Sequence, residues 1–296
     1  MTKPPQPRVA RGLSELAGRY DVVFCDIWGV VHNGEARYPA ACDALQRFRQ
    51  QGGTVILITN APRPSPPILD QLAGLKVPRD AFDEMVTSGD VTLSYIAERK
   101  GQPIYHIGPE RDLTLFQISA QQTGVKPPLT SLDRADFVVI TGLDDDRSET
   151  PDDYADQLAI MRERKLDMIC ANPDLVVHVG EQLIFCAGSV AQAYEDRGGR
   201  VLQAGKPFAP IYERALSFAQ KIRGAAVPHE RILAIGDAMR TDIAGAVDFG
   251  VDALFVTRGI HREELHSGDA IDVAAYRQFL EENPKHPMAA IPELVW

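Results

Sequence analysis

Val22-Val23-Phe24-Cys25-Asp26-Ile27-Trp28-Gly29-Val30-Val31-His32-Asn33-Gly34 is the stretch on which the fold turns. Its first four residues are apolar without a break, which suits a strand buried on both faces of a parallel sheet. A carboxylate closes the run, and a glycine-punctuated loop follows. Two other stretches repeat the arrangement: Thr54-Val55-Ile56-Leu57-Ile58 leads into Thr59-Asn60, and Ile232-Leu233-Ala234-Ile235 leads into Gly236-Asp237. Between the first two, Ala41, Ala44, Leu45 and Phe48 give the stretch Ala40 to Gln50 an apolar helical face before Gly52-Gly53 ends it, completing a βαβ unit. Open parallel α/β sheets bind ligands beyond the carboxyl ends of their strands, so Asp26, Thr59 and Asp237 are expected to share one polar edge.

The middle of the chain has strand and helix signals of its own. Ile104-Tyr105-His106-Ile107, Phe137-Val138-Val139-Ile140 and Met168-Ile169-Cys170-Ala171 read as strands, and Asp153 to Arg164 reads as a helix. Leu175 to Val179 and Leu183 to Cys186 read as a hairpin around Gly180-Glu181-Gln182. The sheet pattern resumes at Val201-Leu202-Gln203-Ala204-Gly205-Lys206. The expected fold is α/β: a parallel-sheet core over residues 1–89 and 201–296, with a second α/β module inserted at 90–200.

A length of 296 residues fits such a two-module chain, and 45% hydrophobic with 24% charged residues is ordinary for a folded globular protein. The formal net charge of −10, uninterrupted by any long Lys/Arg stripe, argues against nucleic acid and against an anionic membrane as partners. A small phosphorylated ligand is still admissible, because local dipoles and one or two basic groups suffice to hold it. Cys25, Cys42, Cys170 and Cys186 are far apart and lack metal-ligand spacing, as expected of reduced thiols in a cytoplasmic protein. Lys3, Arg8 and Arg11 near the start are followed by no apolar segment of the export type, and no apolar run reaches membrane-spanning length.

Residue types at the strand ends narrow the chemistry. Asp26 alone can be a nucleophile, a metal ligand, a ribose acceptor or a strand-end cap. In Gly236-Asp237-Ala238-Met239-Arg240-Thr241-Asp242, Asp237 can turn the chain and Asp242 can cap the following helix, or both can serve a metal. Together the acids suggest Mg²⁺, which takes hard oxygens from one or two carboxylates plus a substrate phosphate. Thr59 and Lys206 are the donor and cation that phosphoryl transfer needs, although a solvated surface lysine is the commoner fate of such a residue.

The order of these motifs resembles the haloacid dehalogenase-like superfamily, and within it the subfamily IIA capped phosphatases that act on sugar phosphates, nucleotides and p-nitrophenyl phosphate. Asp26-Ile27-Trp28-Gly29-Val30 looks like its first motif, Leu57-Ile58-Thr59-Asn60 like its second, Gly205-Lys206-Pro207 like its third, and Gly236-Asp237 to Thr241-Asp242 like its fourth. Ala171-Asn172-Pro173-Asp174 and Ala187-Gly188-Ser189 look like parts of its cap, and the likeness covers Val22 to Gly259. The resemblance implies that the core is a doubly wound, Rossmann-like α/β sheet and that the inserted module is a cap domain. It also implies that Asp26 attacks phosphorus to form an aspartyl-phosphate, and that Mg²⁺ is held by Asp26, the Trp28 carbonyl and Asp237, with Asp242 ordering a metal-bound water or Lys206. Thr59 and the Asn60 backbone would bind phosphoryl oxygens, Lys206 would neutralise charge, and the loop of Asn172 and Asp174 would face the substrate. The implied partner is a small phosphorylated metabolite, a sugar phosphate or a nucleotide, and the resemblance leaves room for a homodimer.

One position departs from the pattern. Phosphatases of this family carry a second aspartate two residues after the nucleophile, as acid and then base, where this chain has Trp28. Such help is worth ~10²- to ~10⁴-fold, so Trp28 predicts slow hydrolysis unless another group substitutes or the leaving group needs no proton. His32, ordinarily read as an exposed loop histidine, is one substitute, and Asp144-Asp145-Asp146, ordinarily a solvated loop, is another. Arg63, between Pro62 and Pro64, can contact phosphate or lie exposed. The alternative to an enzyme is a catalytically weakened phospho-ligand-binding or regulatory member of the same family. A phosphoacceptor switch also combines Asp, Thr and Lys at strand ends, but the inserted module argues against it. The C-terminal stretch Ala289 to Trp296 is expected to pack on the core or reach a partner.

Overall fold

The structure is a computed structural model and describes residues 8–179 and 182–296. Its first part runs β1 (Val22–Cys25), α1 (Pro39–Gln50), β2 (Thr54–Thr59), α2 (Ser65–Gly74), β3 (Glu84–Thr87), α3 (Ser88–Glu98), β4 (Ile104–Ile107), α4 (Thr114–Thr123) and β5 (Phe137–Ile140). Then come α5 (Ala155–Arg164), β6 (Asp167–Cys170), β7 (Val176–Val179), β8 (Gln182–Phe185), α6 (Ala187–Asp196), β9 (Arg200–Gln203) and α7 (Ala209–Arg223). The last part holds β10 (Ile232–Gly236), α8 (Ala244–Phe249), β11 (Asp252–Val256), a short α9 (Arg262–Leu265), the paired β12 (His266–Ser267) and β13 (Ala270–Ile271), α10 (Val273–Glu282) and β14 (Ala289–Ile291). The chain forms two compact units, one of residues up to Thr59 with Asp70–Met85 and Tyr212–Trp296, the other of Asn60–Leu69 and Val86–Ile211.

The first unit is built on a six-stranded sheet in the order β14-β11-β10-β1-β2-β3. Its central strands are the uninterrupted apolar runs of the sequence, and every residue of β1, β2 and β10 is buried. Pairing of β1 with β2 and β10 is parallel, with Cys25 opposite Leu57 and Ile235, so Asp26, Thr59 and Asp237 leave the sheet at one edge. Helix α1 starts at Pro39, whose fixed φ suits a first helical position, and buries Ala41, Cys42, Ala44, Leu45 and Phe48. It stops where Gly53 passes the Phe48 ring so closely that a Cβ would lie 2.3 Å from it. The C-terminal stretch packs on this core: β14 adds a parallel strand beside β11, and the Leu13 N–H donates to the Val295 carbonyl at 2.8 Å.

In the second unit a four-stranded parallel sheet has the order β4-β5-β6-β9, with Ile107, Ile140, Cys170 and Gln203 in register. Alternate residues of β5 face opposite sides, as strand geometry requires. Val138 and Ile140 meet Leu158 and Met161 of α5 and Val190 and Tyr194 of α6, while Phe137 and Val139 meet Leu93 and Ile96 of α3 and Leu115 and Phe116 of α4. Burying each such side chain contributes about 1.5–3 kcal/mol, so both faces hold the sheet. The helix expected from Asp153 begins as a 3-10 turn, Pro151–Tyr154, closed by a capping box between Thr150 and Asp153, and becomes α-helical at Ala155.

Strands β7 and β8 pair antiparallel as the expected hairpin, while turn residues 180 and 181 lie outside the described residues, as do the first seven positions read for an export signal. Among the described residues no helix is long and apolar enough to cross a membrane.

Candidate active site

At the carboxyl edge of the six-stranded sheet, Asp26, Asp237 and Asp242 each present an oxygen within 4.8 Å of the other two. All three are nearly buried, at 7%, 7% and 5% exposure. Three like charges withdrawn from water repel one another strongly, and a divalent cation that favours hard oxygens relieves that repulsion. The donor set therefore fits Mg²⁺.

Local backbone features force the carboxylates together. Gly29 has φ +80°, and a Cβ there would lie 2.1 Å from Asp237 Oδ2. Gly259 is closer still, with a Cβ position 1.8 Å from the same oxygen, and the Ile260 N–H donates to it at 2.9 Å. Asp242 lies in a π-helical turn, Met239–Ile243, where the Ile243 N–H reaches back to the Ala238 carbonyl at 3.2 Å. That widened turn brings the Asp242 carboxylate onto Gly236, where a Cβ would lie 2.1 Å from Cγ, and lets Oδ2 accept from the Ala238 N–H at 3.1 Å. π-turns of this kind commonly mark functional positions. Thr59 ends β2 beside this edge, 7% exposed.

Trp28 and His32 shape the loop after β1. Their rings meet edge to face at 5.2 Å, and a Cβ on Gly34 would lie 2.5 Å from the indole. His32 is not the exposed loop histidine of the ordinary reading, since it is only 2% exposed. Its Nδ1 accepts from the Gly34 N–H at 2.9 Å, which leaves the proton on Nε2, and burial pushes its pKa down to about 4. At neutral pH it is uncharged.

The second unit holds the other expected site residues. Asn60 is buried, and its Nδ2 donates to Asp174 Oδ1 at 2.9 Å and to the Lys206 carbonyl at 3.1 Å, while its Oδ1 accepts from the Lys206 N–H at 2.7 Å. The amide thus fastens the loops after β6 and β9 to each other. Gly205 permits the contact, because a Cβ there would lie 2.3 Å from Asn60 Oδ1. Lys206, 4% exposed, is no surface lysine. Asn172 Oδ1 accepts from the Asp174 N–H at 3.1 Å and so forms the turn that aims Asp174 at Asn60.

The acidic loop is bound up in local structure. Asp144 Oδ1 accepts from the Gly108 N–H at 2.9 Å, Asp145 Oδ2 from the Ser148 hydroxyl at 2.7 Å, and Asp146 pairs with Arg111. Sequence reasoning missed Asp112, which is 1% exposed and lies with Oδ1 4.0 Å from Arg63 Nε. Nothing in the polar run Glu110-Arg111-Asp112 signals a buried acid. Thr141, 2% exposed directly after β5, was findable: it follows an apolar run as Thr59 does.

Buried carboxylates at the strand ends of a parallel sheet, in a chain that carries a second α/β unit, fit the fold of hydrolases with an inserted cap domain. The family model of haloacid dehalogenase-like hydrolases matches residues 23–120, and a second, HAD-hydrolase-like, matches residues 203–281. A solved haloacid dehalogenase-like hydrolase from Brucella suis 1330 is 46% identical, covers 97% of this chain and 100% of its own, and superposes with a TM-score of 0.84. The chain belongs to the haloacid dehalogenase-like hydrolase family. Its kinship there is with phosphatases. The 5'-nucleotidase YutF of Bacillus subtilis (strain 168) is 26% identical over 281 residues, 93% of this chain and 98% of that protein. The ribonucleotide monophosphatase NagD of Escherichia coli (strain K12) is 26% identical over 263 residues, 86% and 92% of the two chains.

Proposed function

We propose that this protein is a cytoplasmic, Mg²⁺-dependent phosphatase that hydrolyses a small phosphorylated metabolite, a sugar phosphate or a nucleotide, through an aspartyl-phosphate at Asp26. The observation that carries the reading is the buried group of Asp26, Asp237 and Asp242. Asp26 Oδ attacks phosphorus as the bond to the leaving oxygen breaks; water then cleaves the acyl phosphate, releasing inorganic phosphate and restoring the carboxylate. Bound Mg²⁺, held by Asp26, the Trp28 carbonyl and Asp237, would screen the charge on the phosphoryl oxygens. Asp242 would order a metal-bound water or Lys206, Thr59 and the Asn60 backbone hold the phosphoryl oxygens, and Lys206 neutralises charge that builds up during transfer. Residues 90–200 serve as the cap domain and residues 1–89 and 201–296 as the core domain, with the loop of Asn172 and Asp174 as a substrate-contacting part of the cap. The buried free cysteines suit a reducing compartment.

The Trp28 indole N–H is not acidic enough to protonate a leaving group and His32 is uncharged at neutral pH, which favours leaving groups that depart without protonation. If hydrolysis is lost altogether, the phosphate and metal sites serve a phospho-ligand-binding or regulatory member of the family. Phosphate release from p-nitrophenyl phosphate, ribose 5-phosphate and nucleoside monophosphates, with Mg²⁺ or with EDTA, decides between them. Release that needs both Mg²⁺ and Asp26 supports the phosphatase. Equal release by Asp26→Asn protein, or none from any ester, overturns it.

A further inference from the structure

Two stretches of the second unit, Asn172-Pro173-Asp174 and Ala187-Gly188-Ser189, meet each other and lead to Lys206. Asp174 is fixed at both polar groups of its own backbone: its N–H donates to Asn172 Oδ1 at 3.1 Å, and its carbonyl accepts from the Gly188 N–H at 3.1 Å. Gly188 lies in the first turn of α6, where a Cβ would lie 2.4 Å from the Pro173 carbonyl oxygen and 2.5 Å from that of Asp174. An aspartate braced in this way has a set direction. Its Oδ1 accepts from Asn60 Nδ2 at 2.9 Å.

Lys206 is held in the same manner, but by one side chain. Asn60 Oδ1 accepts from the Lys206 N–H at 2.7 Å, and Asn60 Nδ2 donates to the Lys206 carbonyl at 3.1 Å. The backbone has only two soft dihedrals per residue, so anchoring the N–H and the carbonyl that flank one Cα sets the direction in which its side chain leaves. Gly205 admits the amide, since a Cβ there would lie 2.3 Å from Asn60 Oδ1 and 2.8 Å from Pro173 Cδ. The lysine that emerges from this clamp is 4% exposed.

A carboxamide has an acceptor end and a donor end of nearly the same shape, and its partners decide which way it stands. The Lys206 carbonyl takes one hydrogen of Asn60 Nδ2 and the Asp174 carboxylate takes the other. A flipped amide would set its oxygen against two acceptors and its nitrogen against the Lys206 N–H. Asn60 is buried, so no water is at hand to repair such a mismatch, and hydrogen bonds to a carboxylate are among the stronger ones. Asp174 therefore locks the orientation in which Asn60 grips Lys206.

We propose that the Asn60 side chain is a positioning group for Lys206, and that Asp174, braced by Gly188, acts on the reaction by holding that amide. The proposal rests on the phosphatase reading, in which Lys206 neutralises the charge of transfer. It adds to that reading a task for two side chains that is separate from the hold of the Asn60 backbone on the phosphoryl oxygens. The line from Gly188 through Asp174 and Asn60 aims the lysine, and a charged group displaced by about 1 Å can lose on the order of 10²-fold in rate.

The test compares wild type with Asn60→Asp, which keeps the shape of the side chain and removes both donors, and with Asn60→Asp/Asp174→Asn, which restores a donor from the other side of that bond. With Mg²⁺ present, kcat and KM for p-nitrophenyl phosphate are read beside Kd for inorganic phosphate, and thermal unfolding checks folding. Asn60→Asp is expected to lower kcat by roughly 10²-fold with a smaller change in KM, and the double variant to regain roughly 10-fold of that loss. Folded Asn60→Asp protein with wild-type kcat, a loss confined to KM, or a double variant that regains nothing overturns the proposal. If wild type turns over no ester, the phosphatase reading fails by itself and phosphate affinity decides the positioning. Affinity weaker by roughly 10-fold in Asn60→Asp protein then supports it, and equal affinity overturns it. Wild type that neither hydrolyses esters nor binds phosphate removes both.

Discussion

Asp237 and Gly259 touch so closely that a Cβ at residue 259 would lie 1.8 Å from Asp237 Oδ2, while the next N–H, of Ile260, donates to that same oxygen at 2.9 Å. The loop after β11 therefore sets where this carboxylate can stand. Gly259→Ala should push Asp237 aside and weaken Mg²⁺ binding by roughly 10-fold or more, as expected when a group that orients a ligand is disturbed. Titration calorimetry with Mg²⁺ measures this directly, and unchanged affinity would show that the contact is yielding.

Asp237→Asn removes one of three mutually repelling buried carboxylates. Metal-free variant protein should melt a few degrees higher than metal-free wild type, and the upward shift that Mg²⁺ gives wild type should vanish. Phosphate release should fall by at least about 10³-fold. A variant still stabilised by Mg²⁺ would place the ion elsewhere.

Trp28→Asp supplies the proton donor that the loop lacks. With a poor leaving group such as a sugar phosphate, kcat should rise by up to ~10²-fold, and with p-nitrophenyl phosphate it should change little. Loss of the indole packing on Gly34 and His32 should cost about 1–3 kcal/mol of stability by chemical unfolding. Equal change with both esters would mean that the residue governs fit rather than protonation.

Acid should destabilise the second unit through His106, whose pKa burial pushes down from 6.5 to about 4. Its ring faces Thr141 and the edge of Phe116. Between those values the unfolded chain binds a proton that the folded one refuses, so stability is full above pH 6.5 and declines as pH falls toward 4. His106→Asn should make the decline of the unfolding midpoint over that window shallower, and an unchanged slope would place the proton elsewhere.

Much of the first unit was legible because its signals are local. An unbroken apolar run such as Val22 to Cys25 can be satisfied only between two neighbours and two layers, and all four residues are buried. The same reading placed β4, β5 and β6 and the ends at which Asp26, Thr59 and Asp237 emerge. His32 was misjudged in its ordinary reading because a polar residue in a glycine-rich loop reads as exposed, whereas the Gly34 N–H turns back onto its ring.

The sequence by itself determined the strand-rich α/β class, the order of its motifs and the types of residue available for phosphoryl chemistry, since these follow from periodicity and composition over a few residues. Only the tertiary structure decided which of them meet: Asn60 fastened to Lys206 across 146 residues, Asp237 pressed between Gly29 and Gly259, and Asp112 buried opposite Arg63. Such contacts depend on how strands are ordered and in what register they pair, and no local pattern encodes the distance between two loops that the folded sheet brings side by side.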